Sequence, residues 1–373
     1  MAQFKPHQNY GYFTEYVNSI LPQNLVYYNI KNQPFALYGL YNPKQLGYYR
    51  IPQEVAEKTN PGVAGLNRNP AGGRVRFITD SACIAVRCRF GAGSERSIMA
   101  LQCSAGFDVY CTEGGREVYK GTVKPPIDMQ CGYTNFVGLG KTKTREITLY
   151  LPIYNDMEEI EVGLIEGSTL TAPRSHYQNK LPVVFYGSSI TQGASANRSG
   201  LTYESILSRR LNLNYLNLGF AGSAKAEDAI VDYMAALKMC CFVSDYDYNA
   251  PTPEHLQQTH EKMYLKIRAA HPNIPYIMLS RPTNNCNNYE NKLRRGIIFK
   301  TWQNALNNGD QNAYFIDGFA LFGNDSYGDC EGDGVHPSSI GFLQMANALE
   351  PVLRRALFNQ NGEIAEVDSL LYL

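Results

Sequence analysis

At Leu181 the rhythm of this 373-residue chain changes, and that change constrains the fold more than any other feature. The segment Leu181–Gly193, LPVVFYGSSITQG, opens on an apolar run to Tyr186 and breaks at Gly187. A short apolar run delivered into a Gly/Ser turn reads as a buried strand of a parallel sheet. Strands are expected at 181–187, 215–218, 239–245, 276–280 and 313–316. Helices are expected between and after them, near 202–211, 226–237, 253–270, 289–307 and 339–358. In the third of these, Leu256, Met263, Ile267 and Ala270 fall roughly on one face. Five strands alternating with helices predict an α/β fold, a flavodoxin-like, doubly wound, mostly parallel sheet. Right-handed crossovers then put every strand's carboxyl end on one rim, where ligands of such sheets bind.

Upstream the period is two rather than 3.6. Val75 and Phe77 alternate with Arg74 and Arg76, and Ile84, Val86, Cys88 and Phe90 share one face. Further strands are expected at 98–103, 107–112, 117–123, 146–152 and 159–165, with Gly-rich turns at 91–94, 113–115 and 138–140. Short strands with such turns predict an all-β, jelly-roll-like sandwich. Residues 1–60, rich in Asn, Tyr and Pro with weak periodicity, are expected to be mostly irregular and to wrap this first domain. The polar stretch 168–180 reads as the link. The division expected is a sandwich over 1–175 and a second domain over 181–373.

Charge excludes some partners. Lys+Arg and Asp+Glu are both 34, so neither nucleic acid nor an anionic membrane is an expected partner. No apolar stretch approaches ~20 residues, so no membrane span is expected. Nine cysteines without regular spacing suit reduced, buried thiols. The N-terminus lacks a basic region followed by an apolar run, so a cytoplasmic location is expected, although a processed secreted form would read the same. The 27 tyrosines suit sugar ligands, but half-buried strands favour Tyr as well.

The rim collects a short set of residues. The strand ends bring Gly187-Ser188-Ser189, then Gly219 to Ser223, then Asp245 to Asn249, then Arg281 and the loop 283–288. The loop after the fifth strand carries Asp333-Gly334-Val335-His336-Pro337. A serine, an exposed glycine backbone, an Asn and an Asp-x-x-His are the parts of an acyl-transfer site. The alternative for the first loop is purely local: Ser188, Ser189 and Thr191 as polar groups capping the next helix.

These blocks resemble, in order and spacing, those of the SGNH (GDSL-type) hydrolase superfamily. The serine block is Gly187-Ser188-Ser189-Ile190-Thr191, the glycine block Asn217 to Gly222, the asparagine block Tyr248-Asn249 and the last Asp333-Gly334-Val335-His336. Two departures stand out. Ser188 occupies the place of the family's Asp, and the asparagine block lacks Gly-x-Asn-Asp. Gly106-Phe107-Asp108-Val109-Tyr110 looks like the GxDLY motif of a subfamily with an N-terminal β-sandwich.

The resemblance implies Ser189 as nucleophile, His336 as general base and Asp333 as its orienting carboxylate. It implies an oxyanion hole of the Ser189 and Gly222 N–H groups and the Asn249 amide. It requires neither metal nor organic cofactor. The activity implied is hydrolysis of short, acetyl-like esters on a small-molecule or carbohydrate substrate. The alternatives are an acyltransferase with the same acyl-serine, or a carbohydrate-binding protein with a disabled hydrolase domain.

Other fragments carry less. His255 and His260 are five apart, wrong for a helical metal pair, and are expected to face solvent. Gly140-Lys141-Thr142 imitates the end of a P-loop, but the earlier Gly would fall at Asn135. Asp329 to Gly334 imitates a calcium loop whose twelfth position is Ile340 rather than Glu. Cys286 lacks any nucleophile motif. Asp108 and Tyr110 read as a staple inside the sandwich, with a contribution to the mouth of the site as the alternative.

Overall fold

The computed structural model describes residues 21–93, 97–174, 176–323 and 328–358. The first 20 residues of the segment expected to be irregular, and the last 15 of the chain, lie outside these. Three sheets organise the described chain. Two are antiparallel and drawn from β1 (Leu25–Asn29), β2 (Ala36–Tyr38), β3 (Arg74–Thr79), β4 (Cys83–Gly93), β5 (Phe107–Glu113), β6 (Arg116–Val123), β7 (Gly132–Gly138), β8 (Arg145–Tyr150), β9 (Asn155–Ile165) and β10 (Leu170–Thr171). Their orders are β1-β9-β4-β7 and β10-β3-β8-β5-β6, with β2 paired to β3. Val75, Phe77, Phe107, Val109 and Ile147 of one sheet meet Ile84, Val86, Ile160 and Val162 of the other in a shared core. That alternation is the period-two signal made physical.

The third sheet holds β11 (Val183–Gly187), β12 (Tyr215–Gly219), β13 (Cys241–Asp245), β14 (Tyr276–Leu279) and β15 (Ala313–Ile316). All are parallel, in the order β12-β11-β13-β14-β15. Val183 and Phe185 point into one core with Leu207, Phe342 and Leu349. Val184 and Tyr186 point into another with Ile230, Leu256 and Ile267. Burial on both faces is why this strand reads as an unbroken apolar run. The chain leaves β11 for β12 on one side and returns to β13 on the other, so the end of β11 is the switch point where such sheets bind ligands. No helix among the described residues is long and apolar enough to cross a membrane.

Several expectations need correction. Residues 21–60 are irregular over only about half their length: they hold β1, β2 and helices over Pro43–Leu46 and Gln53–Thr59, followed by one over Pro61–Leu66. These elements are too short to develop a period. Nor do they wrap only the sandwich, because Ile51, Ala56 and Val63 pack into the core beneath Val184 and Tyr186. Residues 98–103 form a turn and a short helix over Leu101–Ser104, not a strand; a short apolar run cannot separate the two. β7 was not legible, since only Tyr133 and Val137 of its seven residues are buried.

Arg74 and Arg76, which alternate with Val75 and Phe77, are buried as well. Arg74 Nη2 donates to Asn214 Oδ1 at 2.7 Å and to Tyr215 O at 3.0 Å, and its guanidinium lies over the Tyr215 ring. Arg76 lies over the Tyr177 ring and beside Glu146, so this face of β3 is covered by protein instead of water. The link is also shorter than expected, for Leu170 and Thr171 still pair with β3.

Neither helical histidine faces solvent. His255 is partly buried with Nε2 at 2.9 Å from Lys225 O, and His260 is buried beside Thr301 Oγ1, 3.0 Å from its Nδ1. Burial pushes the His260 imidazole down to about 3. An unfolded histidine takes its proton near 6.5. Between those values the unfolded chain binds a proton that the folded one refuses, so stability is full above 6.5 and drains as pH falls toward 3. From pH 7 to pH 5 this one group costs roughly 2 kcal/mol. Urea unfolding at both pH values should show His260→Gln losing less stability than wild type by about that amount; equal losses would refute it.

Candidate active site

The end of β11 is built around two close approaches. A Cβ on Gly187 would stand 2.1 Å from Thr191 Oγ1 and 2.6 Å from Asp245 O, and a Cβ on Gly219 would stand 2.2 Å from Gln192 N. Only glycine lets the turn Ser189–Gln192 fold back onto β12 and β13. Ser188 caps that turn, its Oγ accepting from Ile190 N–H at 3.1 Å, which is a use for a short polar side chain where the family pattern has Asp. Ser188 is fully buried, so of the two adjacent serines it is Ser189 that reaches the rim.

Ser189 Oγ lies 2.8 Å from His336 Nε2. His336 Nδ1 lies 2.8 Å from Asp333 Oδ2, and Asp333 Oδ1 accepts the backbone N–H of His336 at 2.8 Å and of Val335 at 3.0 Å. A carboxylate only accepts, so Nδ1 carries the proton and Nε2 is left to accept from Ser189. Burial pushes the Asp333 carboxyl up, but the bonds from His336 and Val335 outweigh it and hold it below its ordinary value. Asp333 is therefore a carboxylate at neutral pH. The three residues expected from sequence to form the catalytic set are thus within hydrogen-bond reach in one line.

Gly222 and Asn249 also meet, with a difference. The Gly222 N–H donates to Asn249 Oδ1 at 3.1 Å, and Asn249 Nδ2 donates to Phe220 O at 2.8 Å. Gly222 N–H is therefore engaged in orienting Asn249 as well as adjoining the rim. An amide nitrogen carries two hydrogens, so one of Asn249's remains free to point elsewhere. Ser189 N–H has no partner among the described residues.

Sequence reading missed the groups that hold these loops. Buried Arg50 donates to Leu66 O at 2.8 Å, to Asn217 O at 3.3 Å and closely to Gly219 O, and lies over the Phe220 ring. It comes from a segment with no pattern to mark it. Gln192 accepts Ala221 N–H at 3.0 Å, fastening the serine turn to the glycine block. Asp247 ties down the approach to Asn249 through Arg281 and Arg294. Asp245, buried beside Thr191, has its carboxyl pushed up to about 8 by burial, so near neutral pH it is mostly the acid and places little charge beneath the serine turn. Cys286 sits near Thr283 O and Phe319 O. Among the described residues no cluster of His, Cys, Asp and Glu could hold a metal ion.

Asp108 and Tyr110 staple both within the sandwich and across to the loop after the serine turn: Asp108 Oδ1 accepts from Thr122 Oγ1 at 2.6 Å, and Arg198 Nη1 donates to Asp108 Oδ2 at 2.8 Å and to Tyr110 Oη at 2.7 Å.

Comparison with known proteins gives two consecutive matches. Residues 180–354 match the GDSL-like lipase/acylhydrolase family, and residues 25–170 match the N-terminal region of SGNH-hydrolase-type esterases named for its GxDLY motif. Among solved structures, a protein of Bacteroides ovatus ATCC 8483 described as GDSL-like lipase is 25% identical with a TM-score of 0.81, covering 89% of this chain and 98% of its own. The salicylyl-acyltransferase SsfX3 of a tetracycline biosynthetic pathway is 20% identical at TM-score 0.71, covering 90% and 97%. An acetyl xylan esterase, Est2A, of the rumen bacterium Butyrivibrio proteoclasticus is 14% identical at TM-score 0.54, covering 89% and 98%. The last two likenesses concern the fold. No curated protein matches the chain.

Proposed function

The chain belongs to the SGNH (GDSL-type) hydrolases, carboxylic ester hydrolases, in the branch with an N-terminal GxDLY sandwich, and from that premise we propose that it hydrolyses short, acetyl-like esters on a carbohydrate through an acyl-serine. The observation that carries the reading is the line Ser189–His336–Asp333, joined by two contacts of 2.8 Å at the switch point of the sheet.

Ser189 Oγ attacks the ester carbonyl while His336 Nε2 takes its proton. Asp333 keeps the imidazole in the required tautomer and steadies the imidazolium. The oxyanion is met by the Ser189 N–H and the second Asn249 Nδ2 hydrogen, with Gly222 N–H sharing. His336 returns the proton to the departing alcohol, and water then releases the acid by the reverse sequence. Water access favours hydrolysis over transfer: the side chains of His336 and Asp333 are 17% and 28% exposed. The acetyl xylan esterase with the same fold supports a short acyl group on a sugar.

The test is a series of p-nitrophenyl esters from acetate to octanoate, beside acetylated xylan, with and without an added alcohol. Acetate should turn over fastest, acetate should be released from xylan, and the alcohol should not divert the acyl group. Preference for octanoate would remove the short-acyl reading. Accumulation of a new ester would make the protein a transferase.

A further inference from the structure

The GxDLY stretch alternates. Phe107 and Val109 fill the sandwich core, which turns Asp108 and Tyr110 toward the second domain. Asp108 is fully buried, and both its oxygens are engaged. Oδ1 accepts from Thr122 Oγ1 at 2.6 Å, while Oδ2 accepts from Arg198 Nη1 and from Gly200 N–H, both at 2.8 Å. The Arg198 guanidinium stacks 3.7 Å from the Tyr119 ring centroid. Gly200 has no room for a side chain there, since a Cβ would lie 2.6 Å from Tyr110 Oη and 2.8 Å from Asp108 Oδ2.

What Asp108 grips is the loop leaving the serine turn. Gly193 ends that turn at φ +108°, and Ala194 N–H donates back to Ser189 O at 2.9 Å. Ser195 follows at φ +68°, a left-handed backbone that a serine adopts at a cost, with its Oγ held by Ile98 O of the sandwich at 3.0 Å. Asn197 N–H donates to Ser339 Oγ at 3.0 Å, at the start of the helix that follows His336. A Cβ on Gly332 would stand 3.8 Å from that of Ser195, and Gly332 N–H donates to His336 O at 2.8 Å. One loop therefore touches the backbone of Ser189 at one end and the His336 loop at the other, and the sandwich holds it at Ser195, Arg198 and Gly200.

We propose that Asp108 is a positioning residue for the ester site: through Arg198 and Gly200 it fixes the 193–201 loop, and that loop sets the Ser189–His336 contact. The sandwich is thus a working part of the enzyme and not a separate binding module. This rests on the esterase reading above. A charge-assisted grip on a fully buried carboxylate gives one loop position, and a displacement of about 1 Å at the reacting atoms can cost up to ~10²-fold in rate.

The experiment compares wild type, Asp108→Asn, Arg198→Gln and the double variant at 25 °C, with folding checked by circular dichroism. For each, kcat and KM on p-nitrophenyl acetate and the rate of fluorophosphonate labelling are measured. Each variant should lose kcat and labelling rate together, by about tenfold or more, with KM within about twofold. The double variant should be no worse than the poorer single one. Unchanged kcat in folded Asp108→Asn, or a loss confined to KM, would overturn the proposal. If Asp108→Asn does not fold, Arg198→Gln decides the question by the same two readouts, because its side chain sits on the loop itself. Failure of the esterase reading would look different: wild type would neither label nor turn over.

Discussion

Ser189→Ala should lower turnover about 10⁶-fold and abolish fluorophosphonate labelling while leaving the melting temperature nearly unchanged. The substitution removes one oxygen, and that oxygen is the group in reach of His336 Nε2 that can attack a carbonyl. The surrounding turn does not lean on it, because Ser188 supplies the cap and the loop bond from Ala194 goes to the Ser189 backbone carbonyl. The neighbouring serine is the natural control. Ser188→Ala loses the cap on Ile190 N–H, so it should lose about 1 kcal/mol of stability and keep its label. Intact mass before and after the probe reads both. One adduct on wild type and on Ser188→Ala, absent from Ser189→Ala, assigns the nucleophile. A label that survives in Ser189→Ala would move it elsewhere. A well-folded wild type that never labels would make the sugar-binding reading the leading one.

What could be read in the chain, and what could not, follows from how far each signal reaches. The parallel sheet was legible because burial on both faces leaves an apolar run that needs no partner to be recognised, as in Val183 to Tyr186. The rim residues were legible because the crossover rule places all strand ends together. The surroundings of Arg74 and Arg76 were not legible for the opposite reason: alternation reports that a strand has two kinds of face, but not what covers the polar one. For Arg74 it is Asn214 and Tyr215, 140 and 141 residues later in the chain. His260 misled in the same way, since Thr301 from another helix takes its ring nitrogen. The pairing of Gly222 N–H with Asn249 Oδ1 also could not be read, because motif order names groups that converge without saying which bond each other. Arg50 left no trace at all, although it holds the glycine block from a segment without periodicity.

Asp247→Ala should be the most destabilising single change near the site, by about 3–5 kcal/mol, and should also cost activity. The carboxyl is buried and faces two guanidinium groups. Oδ1 lies 3.2 Å from Arg281 Nη2 and 3.3 Å from Arg294 Nη1, and Oδ2 accepts Arg281 N–H at 3.0 Å. Arg294 is itself nearly inaccessible, its side chain 2% exposed. Removing the carboxylate leaves Arg281 without its ion-pair partner and Arg294 with half-exposed Glu290 as its remaining one, and the penalty for those desolvated cations adds to the lost attraction. Added salt should rescue little of it, because screening reaches exposed charges and not buried ones. The activity loss has a separate origin. Asp247-Tyr248-Asn249 is a single 3-10 turn, and the bonds on Asp247 fix where that turn delivers Asn249. Losing one oxyanion donor typically costs ~10²–10³ in rate, which bounds the effect of misplacing it. Asn249→Ala separates the two contributions. It should lose rate by that factor with a smaller fall in denaturation midpoint, from its bonds to Phe220 and Gly222, than Asp247→Ala, which should lose both heavily. Asp247→Ala with a wild-type midpoint would mean the ion pairs are worth nothing net. A lowered midpoint with unchanged kcat, measured where the variant is folded, would mean that Asn249 is held by its own bonds to Phe220 and Gly222 and owes nothing to the arginines below it.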